Sequence, residues 1–157
     1  MSGKEPSAPM PQFIAAFNFQ GHLTGVMMDL AHGVGPVIAH DSYLHDSNKN
    51  KIWSIFSVPN KETFLIRSEA NQQWLVADGH GQRVRTDNPS WFDESAQWVI
   101  RGVDIHRLTD STTISIMSVK YPDCALDVEG GNDLGSHILT YKYHGGHNQT
   151  FRLLKRW

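Results

Sequence analysis

Moving the sequence along itself by 98 positions brings Asp29 onto Asp127, Gly33 onto Gly131, Tyr43 onto Tyr141, Asn50 onto Asn148 and Trp53 onto Phe151, with no gap. An offset of 98 is twice 49, which predicts a middle copy. A blurred one is present. Thr63-Phe64-Leu65-Ile66 lies 50 residues before Thr113-Ile114-Ser115-Ile116, and Trp98 falls between Trp53 and Phe151. Three copies of about 49 residues account for most of a 157-residue chain. A unit that short cannot bury its apolar face alone, so the copies must pack against one another to be stable.

The apolar runs are short and are separated by Gly, Asn, Asp, Ser or Pro. Several alternate polar with apolar, as in Thr113-Ile114-Ser115-Ile116-Met117-Ser118 and Thr140-Tyr141-Lys142-Tyr143. Period-two alternation with turn residues every eight to twelve positions reads as strand, and no amphipathic helix of three turns is apparent. About twelve such runs over three copies give four strands per copy. That is the arithmetic of an all-β fold, a β-trefoil of twelve short strands in three pseudo-symmetric repeats, spanning about 12–60, 61–110 and 111–157. The repeated aromatic (Trp53, Trp98, Phe151) is expected to fill the core of each lobe. Residues 1–11 carry three prolines and few apolar groups and are expected to form a flexible tail, leaving 12–157 as a single domain.

Composition removes several function classes. Basic and acidic residues number 14 and 16, a net charge of −2, which argues against a broad nucleic-acid-binding face. No apolar stretch reaches the roughly 18–20 residues needed to span a bilayer, so membrane insertion is not expected. The single cysteine, Cys124, excludes an intrachain disulfide, and core burial must carry the fold. The first residues lack the apolar stretch of a secretory signal, and cytoplasmic residence is the expectation.

The third copy contains Cys124-Ala125-Leu126-Asp127-Val128-Glu129-Gly130-Gly131, then Gly135-Ser136-His137-Ile138-Leu139-Thr140-Tyr141, then Gly145-Gly146-His147-Asn148-Gln149-Thr150-Phe151. This ordered set resembles the ricin B-type (R-type) lectin repeat, with its Leu-Asp-Val strand, an aromatic about fourteen residues on, and a closing Asn-Gln-x-Trp. The resemblance is strongest in the third copy and looser over the remainder of 13–157. The lack of disulfides and of a signal looks most like the cytoplasmic ricin B-like lectins of mushrooms.

The resemblance implies a shallow pocket in each lobe for a galactose or N-acetylgalactosamine type of sugar, with no catalysis and no cofactor. Asp127 would accept hydrogen bonds from sugar hydroxyls, Tyr141 would stack on the pyranose, Asn148 would bond a further hydroxyl, and Gln149 would brace Asp127. Physical chemistry agrees, because a sugar presents polar edges and one C–H face and so calls for a fixed acceptor and a flat ring. His144 and His147 flank this set and can add donors. Leu139 stands where the plant pattern has Gln, and Tyr141 where Trp is usual. The first-lobe counterpart would be Asp29, Tyr43 and Asn50, with Lys51 in the Gln position and His32 or His40 beside it. The middle lobe departs from the pattern. It has Val76 and Ala77 near the expected Asp, Asp78 one step beyond, Ser95 for the Asn, and Gln97-Trp98 as a structural remnant. Glycans are the implied partner, with a homodimer as one route to multivalency. Hemagglutination and defence are the biological roles implied.

Structural readings stand beside these. Asp29 and Asp127 can serve strand ends, Asn148 can cap a turn, and Tyr141 and Tyr143 share a face by period two. His40 with His45, or His144 with His147, lack the further ligands of a metal site, and none is expected. Cys124 is expected to pack as a small apolar side chain. A β-trefoil acting as a protease inhibitor or interaction subunit is the alternative, through loop Asp87–Glu94, with Pro89 and an exposed Trp91, or through loop Ser42–Lys51.

Overall fold

The computed structural model describes residues 9–22, 25–40, 48–107, 112–130 and 135–157. Twelve strands occur in three groups of four. The first group is β1 (Gln12–Gly21), β2 (Met27–Leu30), β3 (Val37–His40) and β4 (Trp53–Ser57). Next come β5 (Phe64–Ser68), β6 (Trp74–Val76), β7 (Arg85–Asp87) and β8 (Gln97–Arg101). The last are β9 (Thr113–Ser118), β10 (Cys124–Val128), β11 (Ile138–Lys142) and β12 (Phe151–Lys155). All but β7, whose Arg85-Thr86-Asp87 is polar and only begins beside Val84, follow one of the short apolar runs in the sequence.

The outer strands of the groups close on themselves. β1 pairs with β12 and β4, β5 with β4 and β8, and β9 with β8 and β12, all antiparallel, which forms a six-stranded barrel. The inner pairs β2–β3, β6–β7 and β10–β11 are hairpins, each joined to the barrel through its first strand. Closure removes free strand edges from the barrel, and the three hairpins cap one end. This is the β-trefoil that the repeat arithmetic predicts.

The hairpins also bind one another. Ala39 N–H donates to the Ser136 carbonyl at 2.7 Å and Val84 N–H to that of Ile138 at 3.0 Å. The Thr140 hydroxyl donates to the carbonyl of Gly79 at 2.5 Å. The second lobe's loop is thereby fastened along β11 of the third.

Trp53, Trp98 and Phe151 each open or nearly open the last strand of a lobe, and all are fully buried together with Phe17, Ile55, Ile66, Leu126 and Leu153. Trp53 Nε1 donates to the carbonyl of Met28 at 3.0 Å, and Trp98 Nε1 to that of Leu75 at 3.1 Å. Each indole thus ties barrel to cap. Phe151 fills the same place without a donor. The alternation in Thr113–Ser118 marks a strand correctly, but its polar members Ser115 and Ser118 are buried as well, where β9 pairs with β8, β10 and β12. Among the described residues no helix is long and apolar enough to cross a membrane.

Replacing Trp98 with Phe should keep the fold, as Phe151 does in the third lobe. It should lower the unfolding free energy by about 1–3 kcal/mol, since the buried Leu75 carbonyl loses its donor. Urea unfolding of Trp98→Phe beside wild type checks this.

Candidate functional site

Strand register turns the candidate residues outward. In the third lobe Leu126 and Val128 enter the core, so Asp127 between them faces the opposite side of the hairpin. Asp127 lies opposite Leu139, and Tyr141 opposite Ala125, which sets Asp127, Leu139 and Tyr141 on one face. A single 3-10 turn, His147–Gln149, then brings the closing amides beneath that face.

Both oxygens of Asp127 are engaged. Asn148 Nδ2 donates to Oδ1 at 2.8 Å, and Gln149 Nε2 to Oδ2 at 2.9 Å. Gln149 is wholly spent on bracing. Its Nε2 also donates to the Lys142 carbonyl at 3.0 Å, and its Oε1 accepts the His144 N–H at 2.9 Å. It is fully buried and does not line the hollow, so it acts on a ligand only through Asp127. His144 Nδ1 accepts the Gly146 N–H at 3.0 Å, which leaves Nε2 to carry the ring proton. A side chain at residue 146 would collide with this imidazole: a Cβ there would lie 2.7 Å from Nδ1.

Asp127, Leu139, Tyr141, His144 and Asn148 line one open hollow of about 320 Å³, together with Glu129 and Gly81. Tyr141 is 45% exposed, and the ring of His80, from the second lobe, packs against it at 4.7 Å between centroids. Burial pushes the Asp127 carboxyl above its ordinary value. The hydrogen bonds from Gln149 and Asn148 and the nearness of His144 pull the other way, while Glu129 adds to the rise.

In the first lobe Asp29 lies opposite Ile38. With His32, His40, Asn50 and Lys51 it lines a second hollow, of about 240 Å³. The connection between Asp29 and its cross-strand partner is three residues shorter than that in the third lobe. The residue two beyond that partner is therefore His40, which occupies the register position of Tyr141. The gapless offset of 98 fails across this hairpin and recovers at Asn50. Tyr43, named from that offset, lies outside the described residues, as do His45 and positions 42–47 of the candidate loop. Asn48 Oδ1 accepts the Asn50 N–H at 3.0 Å and shapes the turn, while Lys51, buried, stands in the place of Gln149.

The middle lobe is built differently. Trp98 bonds Leu75 as Trp53 bonds Met28, so Val76 is the counterpart of Asp29. Its cross-strand partner is Arg85, which grips Asp78 through Nε at 2.8 Å and Nη2 at 3.1 Å, and Asp87 through Nη1 at 2.6 Å. Counting back from Trp98, the bracing position is Ala96, and Gln97 is not the equivalent of Gln149. Gln97 instead accepts from the Thr63 hydroxyl at 3.0 Å and donates to the Trp91 carbonyl, a structural use at a different position. In the Asp87–Glu94 loop Trp91 packs against the small cluster around Val58, Leu65 and Val76. Phe92, 67% exposed, is the ring that faces solvent, rather than the Trp91 expected from sequence.

No protein-family model matches the sequence, and no curated protein matches it. Solved structures are similar in fold. The designed threefold-symmetric protein ThreeFoil matches at 22% identity over 88% of this chain and 97% of its own, with a TM-score of 0.72. The C-half of the earthworm R-type lectin, solved with GalNAc, matches at 20% identity over 91% of this chain and all of its own, TM-score 0.66. A Macrolepiota procera ricin B-like lectin, solved with lactose, matches at 18% identity over 95% of this chain and all of its own, TM-score 0.72. The chain has the β-trefoil fold of the R-type lectins.

Two residues of the neighbouring lobe carry no local signal: Gly81, which lines the third-lobe hollow, and His80, which packs against Tyr141 and lines the hollow beside it. Glu129 stands two residues after Asp127 and was legible as a charge but not as a wall. Among the described residues no three His, Cys, Asp or Glu side chains cluster as metal ligands.

A raised carboxyl pKa in the folded state means that the native protein holds this proton more tightly than the unfolded chain, so ionising Asp127 subtracts stability. Relative to Asp127→Asn, wild type should lose stability as pH rises from the unfolded value, about 4, through the raised native one, and then level off. Urea midpoints of both proteins at stepped pH check the sign.

Proposed function

We propose that the protein is a carbohydrate-binding lectin, without catalysis, that takes galactose or N-acetylgalactosamine-type glycans through the first- and third-lobe hollows. One observation carries the reading. A buried carboxylate, Asp127, is held by two amides at the edge of an open hollow that also presents an exposed tyrosine ring. A carboxylate oxygen that accepts one amide N–H has lone-pair capacity left for hydroxyl donors. The fixed geometry removes the cost of orienting it. Tyr141 offers an apolar face to the C–H side of a pyranose, and Asn148 and the Nε2–H of His144 supply polar partners around it. The lectins similar in fold, solved with GalNAc and with lactose, support the same class of ligand.

The hollows are open and would bury little of a sugar, so single-sugar affinity is expected in the millimolar to micromolar range, roughly −4 to −8 kcal/mol. Two hollows on one chain, or a homodimer, would raise the affinity for clustered glycans without new contacts. The first lobe is the weaker candidate, because Lys51 replaces the neutral brace and His40 the larger ring.

Asp127→Ala should abolish glycan binding at the third lobe while the protein stays folded, and Asp29→Ala should remove only the first-lobe share. A glycan array, with isothermal titration of lactose or N-acetylgalactosamine and circular dichroism of each variant, checks this. Equal array signal from Asp127→Ala and wild type would overturn the assignment. Since the site needs the ionised carboxylate and its pKa is raised, third-lobe affinity should fall with acidification at a higher pH than an ordinary Asp would give.

A further inference from the structure

Beside the third-lobe hollow lies a second, of about 430 Å³, lined by His80, Lys120, Tyr121, Asp123, Cys124 and Lys142. The two are separated by a ridge of two rings. His80 lines one, Tyr141 lines the other, and their centroids are 4.7 Å apart. A glycan seated at Asp127 that extends past Tyr141 would meet His80 and the second hollow next.

The chemistry of the second hollow differs from that of the first. Tyr121 gives it a fixed aromatic wall, because its hydroxyl donates to the Asp78 carbonyl at 3.1 Å and so binds the second lobe to the third. Two ammonium groups, Lys120 and Lys142, stand against one carboxylate, Asp123. Neither lysine is held in an ion pair by a described carboxylate. The Lys120 ammonium lies 5.8 Å from the Tyr121 ring centroid, and beyond the hollow it exerts a Coulombic pull on Asp93. The hollow is thus locally positive on a chain whose net charge is −2. The Cys124 thiol at its edge is kept protonated by burial and by the neighbouring Asp123, and supplies no negative charge.

We propose that this hollow is a subsite for an anionic substituent, a carboxylate or a sulfate ester, on a glycan whose terminal sugar occupies the third-lobe hollow. The assignment rests on the reading of that hollow as a sugar site. Lys120 and Lys142 would form charge-assisted hydrogen bonds with the anion, and Tyr121 would carry the ring that bears it.

The test is isothermal titration of lactose, sialyllactose and sulfated lactose into wild type, Asp127→Asn and the double variant Lys120→Gln/Lys142→Gln. Wild type should bind at least one acidic ligand about tenfold more tightly than lactose, with the preference shrinking at high salt. The double variant should bring that ratio to about one while lactose affinity is unchanged, and Asp127→Asn should weaken all three ligands. Preference for sialyllactose alone marks the carboxylate as the group read; preference for the sulfated sugar alone marks the sulfate. Lactose binding without any acidic preference, or a preference that survives the double variant, overturns the subsite and leaves the lectin reading standing. Failure of wild type to bind any of the three overturns both.

Discussion

Three large rings hold this molecule together. Trp53, Trp98 and Phe151 occupy corresponding places in the barrel, each where the last strand of its lobe begins, and each meets the first strand of its own cap hairpin. In two lobes the meeting is a hydrogen bond from an indole to a buried carbonyl; in the third, Phe151 shares the buried core with Leu126 and Val128 of β10. A buried carbonyl without a donor is costly, so the indoles fix the hairpins at one height over the barrel. The short turn that carries the candidate amides ends two residues before the ring. Burying the ring therefore also positions the amides, and the core and the site are parts of one local arrangement.

The same scaffold tolerates three different surfaces. In the third lobe the face above the ring holds Asp127 with its two amide donors, a charge kept in a nearly buried place because hydrogen bonds stand in for water. In the middle lobe Val76 fills that position, and the neighbouring surface is an Arg85 clamp on Asp78 and Asp87. Exposed pairs of this kind contribute little stability. The first lobe lies between, with an acidic residue in place but a buried lysine where the third lobe has its neutral brace. Conserving the packing while varying the outward-facing residues is what the two-residue period of a strand permits.

Much of this was legible beforehand. Eleven of the twelve strands follow the apolar runs, because a half-buried strand needs alternation and a turn needs Gly, Pro, Asn or Asp; the polar β7 is held by pairing with β6. The offset of 98 located Asp29, Asn50 and Trp53 correctly, since each is tied to the ring or to the turn before it. Across the first-lobe hairpin the offset breaks, because hairpin length is set by the local turn and not by the repeat, and His40 takes the register position of Tyr141. Gln97, read as a structural remnant of the closing motif, has such a use, bonding Thr63 and Trp91, while Ala96, two residues before its ring, holds the position of the brace.

The sequence by itself determined the threefold β architecture and the identity of the acceptor and amides in the third lobe. Those features follow from short-range patterning, repeated at a fixed interval. Only the tertiary structure decided what else meets there: His80 against Tyr141, Gly81 at the rim of the hollow, and Lys120 and Lys142 around a second hollow. These groups come together where the second lobe's loop is hydrogen-bonded along β11, a contact between segments some sixty residues apart. Long-range closure of that kind is driven by burial of the shared core, and no local pattern encodes which surface residues it will place side by side.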